Sequence, residues 1–440
     1  MGFIQTIKNI RKIEDLRMRI LITIAFVAIY RFGSFVVLPG VDPAQLQALQ
    51  ANASSGLLGL LNMFSGGAFA NASIFALGIM PYISASIVMQ LLGIAVPAFQ
   101  KMQREGESGR TKMNQYTRYL TVMILLFQGP AYIYGALQGA IPGGFWNWVL
   151  PSTVILAAGS MFVLWLGERI TDKGIGNGIS FIILIGIIAR LPQALVAEVD
   201  RLHNAPGGYI LLLLELIFLL AVIAIAIMLV QGTRKVPVQY AKRIVGNRQY
   251  GGVRQYIPLK VNAANVMPII FAQAIMFIPL TVARFTVKEG GGFMANLMDH
   301  TSFLYNTIFA LLIIAFTYFY TAITVNPTQM AEDLKRNNGF IPGVKPGKKT
   351  AEYIDTIMSR ITFPGSIFLA IVAILPAFAG ILGINSQFAQ FFGGTSLLIL
   401  VGVVLDTLQQ IESHLLMRHY DGFLKSGAKI KGRTGSIAAY

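Results

Sequence analysis

Apolar residues run along this chain in blocks about as long as a bilayer is thick, separated by short polar joints and by two longer hydrophilic ones. A helix needs about 20 apolar residues to cross the hydrocarbon core. Ten runs meet that length, at roughly 20–38, 74–96, 119–139, 148–167, 179–199, 209–231, 263–285, 303–325, 362–384 and 392–412. Between the first two lies GLLGLLNMFSGGAFANAS (56–73), an uncharged stretch rich in glycine and alanine. Its apolar part would rise only about 20 Å as a helix, so it reads as a non-spanning helical stub. Ahead of the first run, FIQTIKNIRKIEDLRMRI is amphipathic and reads as an interfacial helix over 1–19. No signal peptide is expected before the first span.

Composition agrees with a membrane chain. Of 440 residues 55% are hydrophobic and 12% charged, with mean hydropathy +0.64, too little polar surface to cover a water-soluble fold of this size. Charge then sets orientation, because loops rich in Lys and Arg stay on the cytoplasmic side. With the N-terminus inside, the inner segments hold 30 of the 35 Lys and Arg residues, and only Arg31, Arg190, Arg201, Arg284 and Lys288 fall elsewhere. Both termini are therefore expected in the cytoplasm, with 413–440 a basic tail. The net charge of +16 lies almost wholly on that face. Loops 232–262 and 326–361 are longer than a helix connection needs and suit a large anionic or acidic partner as well as anionic lipid.

Several chemistries are excluded. The chain has no cysteine, so disulfides and thiolate metal sites do not arise. Of four histidines, His203 and His300 fall in outer loops, while His414 and His419 do not share a helix face. No metal site or cofactor is expected. GFIPGVKPGKKT (339–350) resembles a phosphate loop, but Gly343 and Gly347 are one residue too close and Lys349 stands where the hydroxyl should be. GIGNGIS (174–180) reads as a tight helix-to-helix turn. Ser65, which precedes Gly66, has no histidine in any span to activate it as a protease nucleophile.

Few ionisable groups fall inside the spans, and Glu215, Asp406 and Glu412 are the main acidic ones. A proton- or ion-coupled solute carrier, the alternative reading, usually needs charge near the midplane. Ile79 and Ile83 instead bracket Pro81 at helical spacing, on a helix whose ladder the proline is expected to weaken. Five spans reach about residue 200 and five follow, so the second half (201–412) enters with topology inverted relative to the first (20–200).

NMFSGGAFANASIFALGIMPYISAS (62–86), QREGESGRTKMNQYTRY (103–119), WLGERITDKGIGNGIS (165–180), YAKR (240–243), IPLKVNAANVMPIIFA (257–272), NPTQMAEDLKRNNGFIPGVKPGKKTAEYID (326–355) and FFGGTSLLILVGVVLD (391–406) resemble, in order, the SecY family, the channel subunits of the Sec protein translocon. The resemblance implies an all-α polytopic membrane protein: ten transmembrane helices in two inverted pseudo-symmetric halves around a pore. It makes the stub, about Gly56–Ala70, a re-entrant plug helix, with Asn62, Phe64, Ser65, Gly66 and Gly67 at its heart. It places a pore ring at Ile79, Ile83, Ile183, Ile270 and Ile399, and a lateral gate between runs 74–96 and 119–139 on one side and 263–285 and 303–325 on the other.

The implied activity is passage of unfolded preproteins across the bacterial cytoplasmic membrane, without covalent catalysis. The implied partners are SecE and SecG subunits, the SecA ATPase, the ribosome, preprotein signal sequences and anionic lipids. Lys242, Arg243, Lys345 and Lys348 are the expected docking residues. The family usually carries arginine where this chain has Lys345, which keeps the charge and loses the planar fork. Gln273 replaces a usually small residue beside the gate.

Overall fold

The computed structural model describes residues 13–41, 62–137, 145–203, 208–240, 243–245, 248–250, 254–264, 266–273, 275–276 and 302–425. It is mostly helical. The first helix, α1 (Glu14–Gly33), carries Glu14 and Asp15 in its first turn and Arg31 in its last, charges that complement the helix dipole. Residues 14–19 are thus the opening turns of the first apolar helix rather than part of a separate element, and residues 1–12 of the expected interfacial helix lie outside the described residues. Then come α2 (Met80–Ala95), α3 (Pro97–Arg104), α4 (Glu107–Ala136), a π-helical turn at Phe145–Val149, α5 (Leu150–Lys173), α6 (Gly178–His203) and α7 (Gly208–Gln231). Residues 267–273 and 275–276 are helical. The last helices are α8 (Phe303–Thr324), α9 (Pro327–Arg336), α10 (Lys348–Ile381), the short α11 (Ser386–Ala389) and α12 (Gly394–Lys425). The region expected as a basic tail therefore begins as a continuation of the last helix.

Among the described residues six helices are long and apolar enough to cross a membrane, and a seventh span arises if α2 and α3, bent by 103°, count as one. The chain is a multi-pass membrane protein. The apolar run 263–285 lies partly outside the described residues. In α7 the buried residues Gly208, Glu215, Val222 and Ala226 form one stripe, and Tyr209, Ile210, Leu213, Leu214, Ile217 and Leu220 are exposed around it. Such a surface suits lipid, not water.

Local signals explain the helix ends. Asn326 caps α9 by accepting from Gln329 N at 3.2 Å, with Pro327 in the first turn. The 174–178 connection is the tight turn the glycines predict: Gly176 has φ +80, and Asn177 Oδ1 accepts from Ile179 N at 3.1 Å. Thr23 Oγ1 of α1 accepts from Ile175 N, and Gln410 Oε1 of α12 accepts from Gly176 N at 2.9 Å. This turn therefore joins the first helix to the last.

Packing follows chain order. Helix α2 lies against α4, α4 against α5, and α5 against α6 and α1; later in the chain α8 lies along α10, and α12 against α7 and α10. Helix α6 crosses between the groups by packing on α7 and α12. Toward its C-terminal end Glu198 accepts from Asn385 N at 2.9 Å, and Arg201 pairs with Glu198 and, at 3.4 Å, with Glu215 of α7.

The hydrophilic loops correct the all-α expectation. Strand β1 (Thr233–Tyr240) pairs antiparallel with β4 (Arg254–Lys260) over Thr233↔Lys260 to Gln239↔Arg254, and β5 (Gly339–Phe340) joins the other edge of β1. A hairpin of β2 (Arg243–Val245) and β3 (Arg248–Tyr250) stands between β1 and β4 in sequence. TRKVPVQY has the two-residue alternation of a half-buried strand. Its Val236 and Val238 are buried with Leu259, Leu334, Ile341, Ile354 and Met358 in a small core of their own. The two loops, far apart in sequence, are thus one subdomain seated on the first turns of α10.

Val238→Asp buries an unpaired charge in that core, a loss of roughly 3–5 kcal/mol. Limited proteolysis in detergent should then cut within 232–262 much faster while the apolar helices stay protected.

Candidate functional site

The stub and the start of the second apolar run form the most irregular described backbone between the apolar helices. Only residues 62–64 are helical; tight turns follow to residue 79. The continuous helix expected over 74–96 begins at Met80, and the described part of the expected plug is a knot of turns. Residues 56–61 of the expected plug lie outside the described residues. The reason is local. Gly66, Gly67 and Gly78 have φ of +64, +96 and +53, angles glycine adopts without steric cost. Pro81 sits in the first turn of α2, where its missing N–H is no loss, so it starts the helix and does not weaken its ladder.

Each turn has its hydrogen bonds supplied. Asn62 Oδ1 accepts from Ala70 N and Ser65 Oγ from Phe69 N, both at 3.0 Å. Neighbouring helices cap three carbonyls: Tyr30 Oη donates to Ser65 O at 3.1 Å, Arg31 Nη1 to Gly66 O at 2.9 Å, and Tyr132 Oη to Phe69 O at 2.8 Å. Leu38 N donates to Ala72 O and Ile74 N to Val36 O, a short antiparallel bridge to the chain leaving α1. Gly186 of α6 supplies a notch, since a Cβ there would lie 2.9 Å from Phe64 O. Asn62, Ser65, Gly66 and Gly67 are buried, and Phe64 is half-buried.

Beneath this knot the five isoleucines come together. Ile79 caps α2, Ile83 lies one turn on, Ile183 is on α6, Ile270 in the 267–273 helical stretch and Ile399 on α12. Ile79, Ile183 and Ile399 are buried in one apolar cluster, against which Ile83 and Ile270 pack, and the same cluster includes Met63 and Ala68 of the turn segment. Four separated parts of the chain thus meet in a patch of branched hydrocarbon with the turn segment resting on it. Such a patch gives water and ions no partner.

Gln273 is half-buried on a stretch whose Phe271 stacks on Phe316 of α8, centroids 5.7 Å apart. Lys242 lies outside the described residues, and Arg243 opens strand β2. Lys345 and Lys348 are exposed at the 341–350 tip, where Thr350 Oγ1 donates to Lys345 O at 2.9 Å. Lys349 pairs with Glu352 at 2.9 Å and holds its carboxyl below the usual carboxylate range. Because β5 lies beside β1, both basic loops belong to one surface.

The sequence reading missed Tyr30, Arg31, Tyr132 and Gly186 as partners of the turn segment. A sequence signal existed only for Arg31, a charge at the outer end of an apolar run.

The SecY family model matches residues 73–408. The chain belongs to the SecY family. One relative, the protein translocase subunit SecY of Halalkalibacterium halodurans, is 46% identical over 433 residues, spanning 96% of this chain and 100% of that one. A solved SecY structure superposes with TM-score 0.61 at 17% identity over 94% of this chain and 95% of that one; its plug domain is described as stabilising the closed state of the translocation channel and maintaining a membrane seal. A channel in a canine ribosome complex from the endoplasmic reticulum superposes at 0.55 and 16% identity, with the same coverage. These likenesses extend a SecY-type fold over nearly the whole chain.

Gly186→Val should push the 64–66 turn off α6, since overpacking of this kind costs about 1–3 kcal/mol. In the cysteine-free chain carrying Ser65→Cys, a water-soluble maleimide should then label position 65 about tenfold faster.

Proposed function

We infer that this chain is the channel-forming subunit of a bacterial protein translocase, passing unfolded preproteins across the cytoplasmic membrane and releasing apolar segments sideways into lipid. The observation that carries this reading is the meeting of Ile79, Ile83, Ile183, Ile270 and Ile399 in one cluster with the turn segment packed on it. Read as a ring, these side chains dewet the pore when closed. They part around an extended polypeptide without side-chain-specific hydrogen bonds, which suits a substrate defined only as an unfolded chain. Residues 62–70, with the stretch from about Gly56 before them, act as the plug over the ring.

The full reading has ten spans in two inverted halves, 20–200 and 201–412, with both termini in the cytoplasm. The gate opens between α2 and α4 on one side and run 263–285 with α8 on the other, with Gln273 beside it. Each strongly apolar residue of a signal sequence gains about 0.3–0.6 kcal/mol at the centre of a membrane helix, so ten such residues bias a marginal gate by several kcal/mol. The β1–β5 subdomain, with Lys242, Arg243, Lys345 and Lys348, docks the SecA ATPase or the ribosome, and SecE, SecG and anionic lipids complete the assembly. A small-solute carrier finds no support: Glu215, the buried acid of α7, is held by Arg201 at the joint with α6.

The test uses single cysteines at Ile270 and, as control, at the exposed Leu311 of α8, with a preprotein arrested in vesicles containing SecA. Oxidative crosslinks at 270 and none at 311 are expected; their absence at 270, with arrest and thiol reactivity verified, reopens the carrier reading. Ile270→Asn should also wet the ring and raise ion conductance in planar bilayers, and unchanged conductance removes Ile270 from it.

A further inference from the structure

Two cations meet at the glycine pair of the turn segment. Arg31, in the last turn of α1, donates to Gly66 O, and its guanidinium also lies over the Phe35 ring at 5.3 Å. From α6, Arg190 closes the other side: a Cβ at Gly67 would lie 3.0 Å from its Nη2 and 3.1 Å from its Nε. A Cβ at Gly66 would meet Gly186 Cα at 2.8 Å and Arg31 Nη1 at 3.0 Å. The glycines therefore admit both guanidinium groups to bare backbone as well as making the turn.

Among the described residues neither arginine forms an ion pair with a carboxylate. The ion pairs among the described residues are Arg17–Glu14, Arg19–Asp15, Arg118–Glu168, Arg201–Glu198, Arg201–Glu215 and Lys349–Glu352. Arg190 Nη1 donates to Gln193 Oε1 of its own helix at 3.2 Å. Both side chains are half-buried. A cation in that setting is expensive to keep without a purpose, and a carbonyl capped by a guanidinium makes a shorter, stronger bond than a neutral pair does.

We propose that Arg31 and Arg190 are positioning residues that latch the closing segment onto α1 and α6 by gripping the backbone at Gly66–Gly67, and so set how often the segment leaves its seat. This rests on the reading of the turn segment about Gly66–Gly67, within Gly56–Ala70, as a plug. A grip on one carbonyl and one close backbone approach is a small number of contacts, and it releases as a unit. Tyr30 and Tyr132, which cap the flanking carbonyls with neutral hydroxyls, are the weaker fastenings on either side.

The test follows the segment directly. The full chain carrying Ser65→Cys is reconstituted in vesicles and labelled with a water-soluble maleimide. Arg31→Ala should speed labelling by about tenfold, as goes with losing ~1.4 kcal/mol of attachment. Arg31→Lys, which keeps a charged donor, should label close to the parent rate. Arg190→Ala should speed labelling too, and the double substitution by less than the product of the two, because both act on one turn. A second probe, Ser366→Cys, which sits fully buried on α10, reports on the fold at large.

Labelling of Ser65→Cys within about twofold of the parent in Arg31→Ala overturns the latch. So does equal exposure of Ser366→Cys, which means general unfolding, and so does Arg31→Lys behaving like Arg31→Ala, which means the charged donor is not what matters. Planar-bilayer conductance, with Ile270→Asn as reference, separates this from the channel reading. A leak in Ile270→Asn without faster labelling in Arg31→Ala leaves the channel standing and removes the latch; faster labelling in Arg31→Ala with no leak in either variant upholds the latch while removing the seal.

Discussion

Backbone that leaves the helix inside a membrane must find its hydrogen bonds in the protein, because hydrocarbon supplies none. Residues 62–79 are where this chain meets that constraint most sharply, and much of the surrounding geometry answers it. Asn62 and Ser65 serve the segment from within; Tyr30, Arg31 and Tyr132 serve it from α1 and α4. A helix in the same place would close its own ladder and need no neighbours. A string of turns is held by bonds to other elements, so it stays ordered while seated and leaves at a cost set by a few identifiable contacts.

The centre divides two tasks between two chemistries. Isoleucines from α2, α6, the 267–273 stretch and α12 form an apolar surface whose side chains carry no donor, acceptor or charge. Directional bonds are kept to the segment resting on that surface. Mixing the two would weaken both, since a polar group in the ring would hold water and an apolar fastening alone would not fix the orientation of a Gly-rich turn.

Element type was legible wherever one period ran unbroken. The apolar runs of α5, α6, α7 and α8 begin and end within a few residues of the helices, and GIGNGIS announced its turn through glycine chemistry alone. The misses share a cause: the deciding partner lies far away in sequence. Nothing near β1 reveals that Val236 and Val238 will bury against Ile341 and Met358 across a hundred residues. Helix 74–96 was overextended because an apolar composition cannot separate helix from buried turn; within that run the positive φ at Gly78 marks the turn. Pro81 was read as a flaw in a helix when it is the start of one. The isoleucines were found by resemblance to the family; periodicity alone makes them ordinary packing.

One long element connects the β subdomain to this centre. Helix α10 has 34 residues, about 50 Å at 1.5 Å per residue, longer than the hydrocarbon core is thick. Its first turns carry Ile354 and Met358 into the core of the β subdomain, and further on Leu369, Ala370, Val372 and Ala373 pack with α8 and α12. The chain beyond it reaches Asn385, whose backbone N–H is held by Glu198 of α6, and Phe392, buried in the cluster that holds the ring. Load placed on the β subdomain therefore passes into a continuous helix, and packed interiors transmit such strain rather than absorb it. The Glu198–Arg201–Glu215 joint anchors the far end of that lever to α6, the same helix whose Gly186 and Arg190 meet the turn segment. Displacing α10 against a fixed α6 therefore shifts the seat of the isoleucine cluster and the seat of the turn segment together.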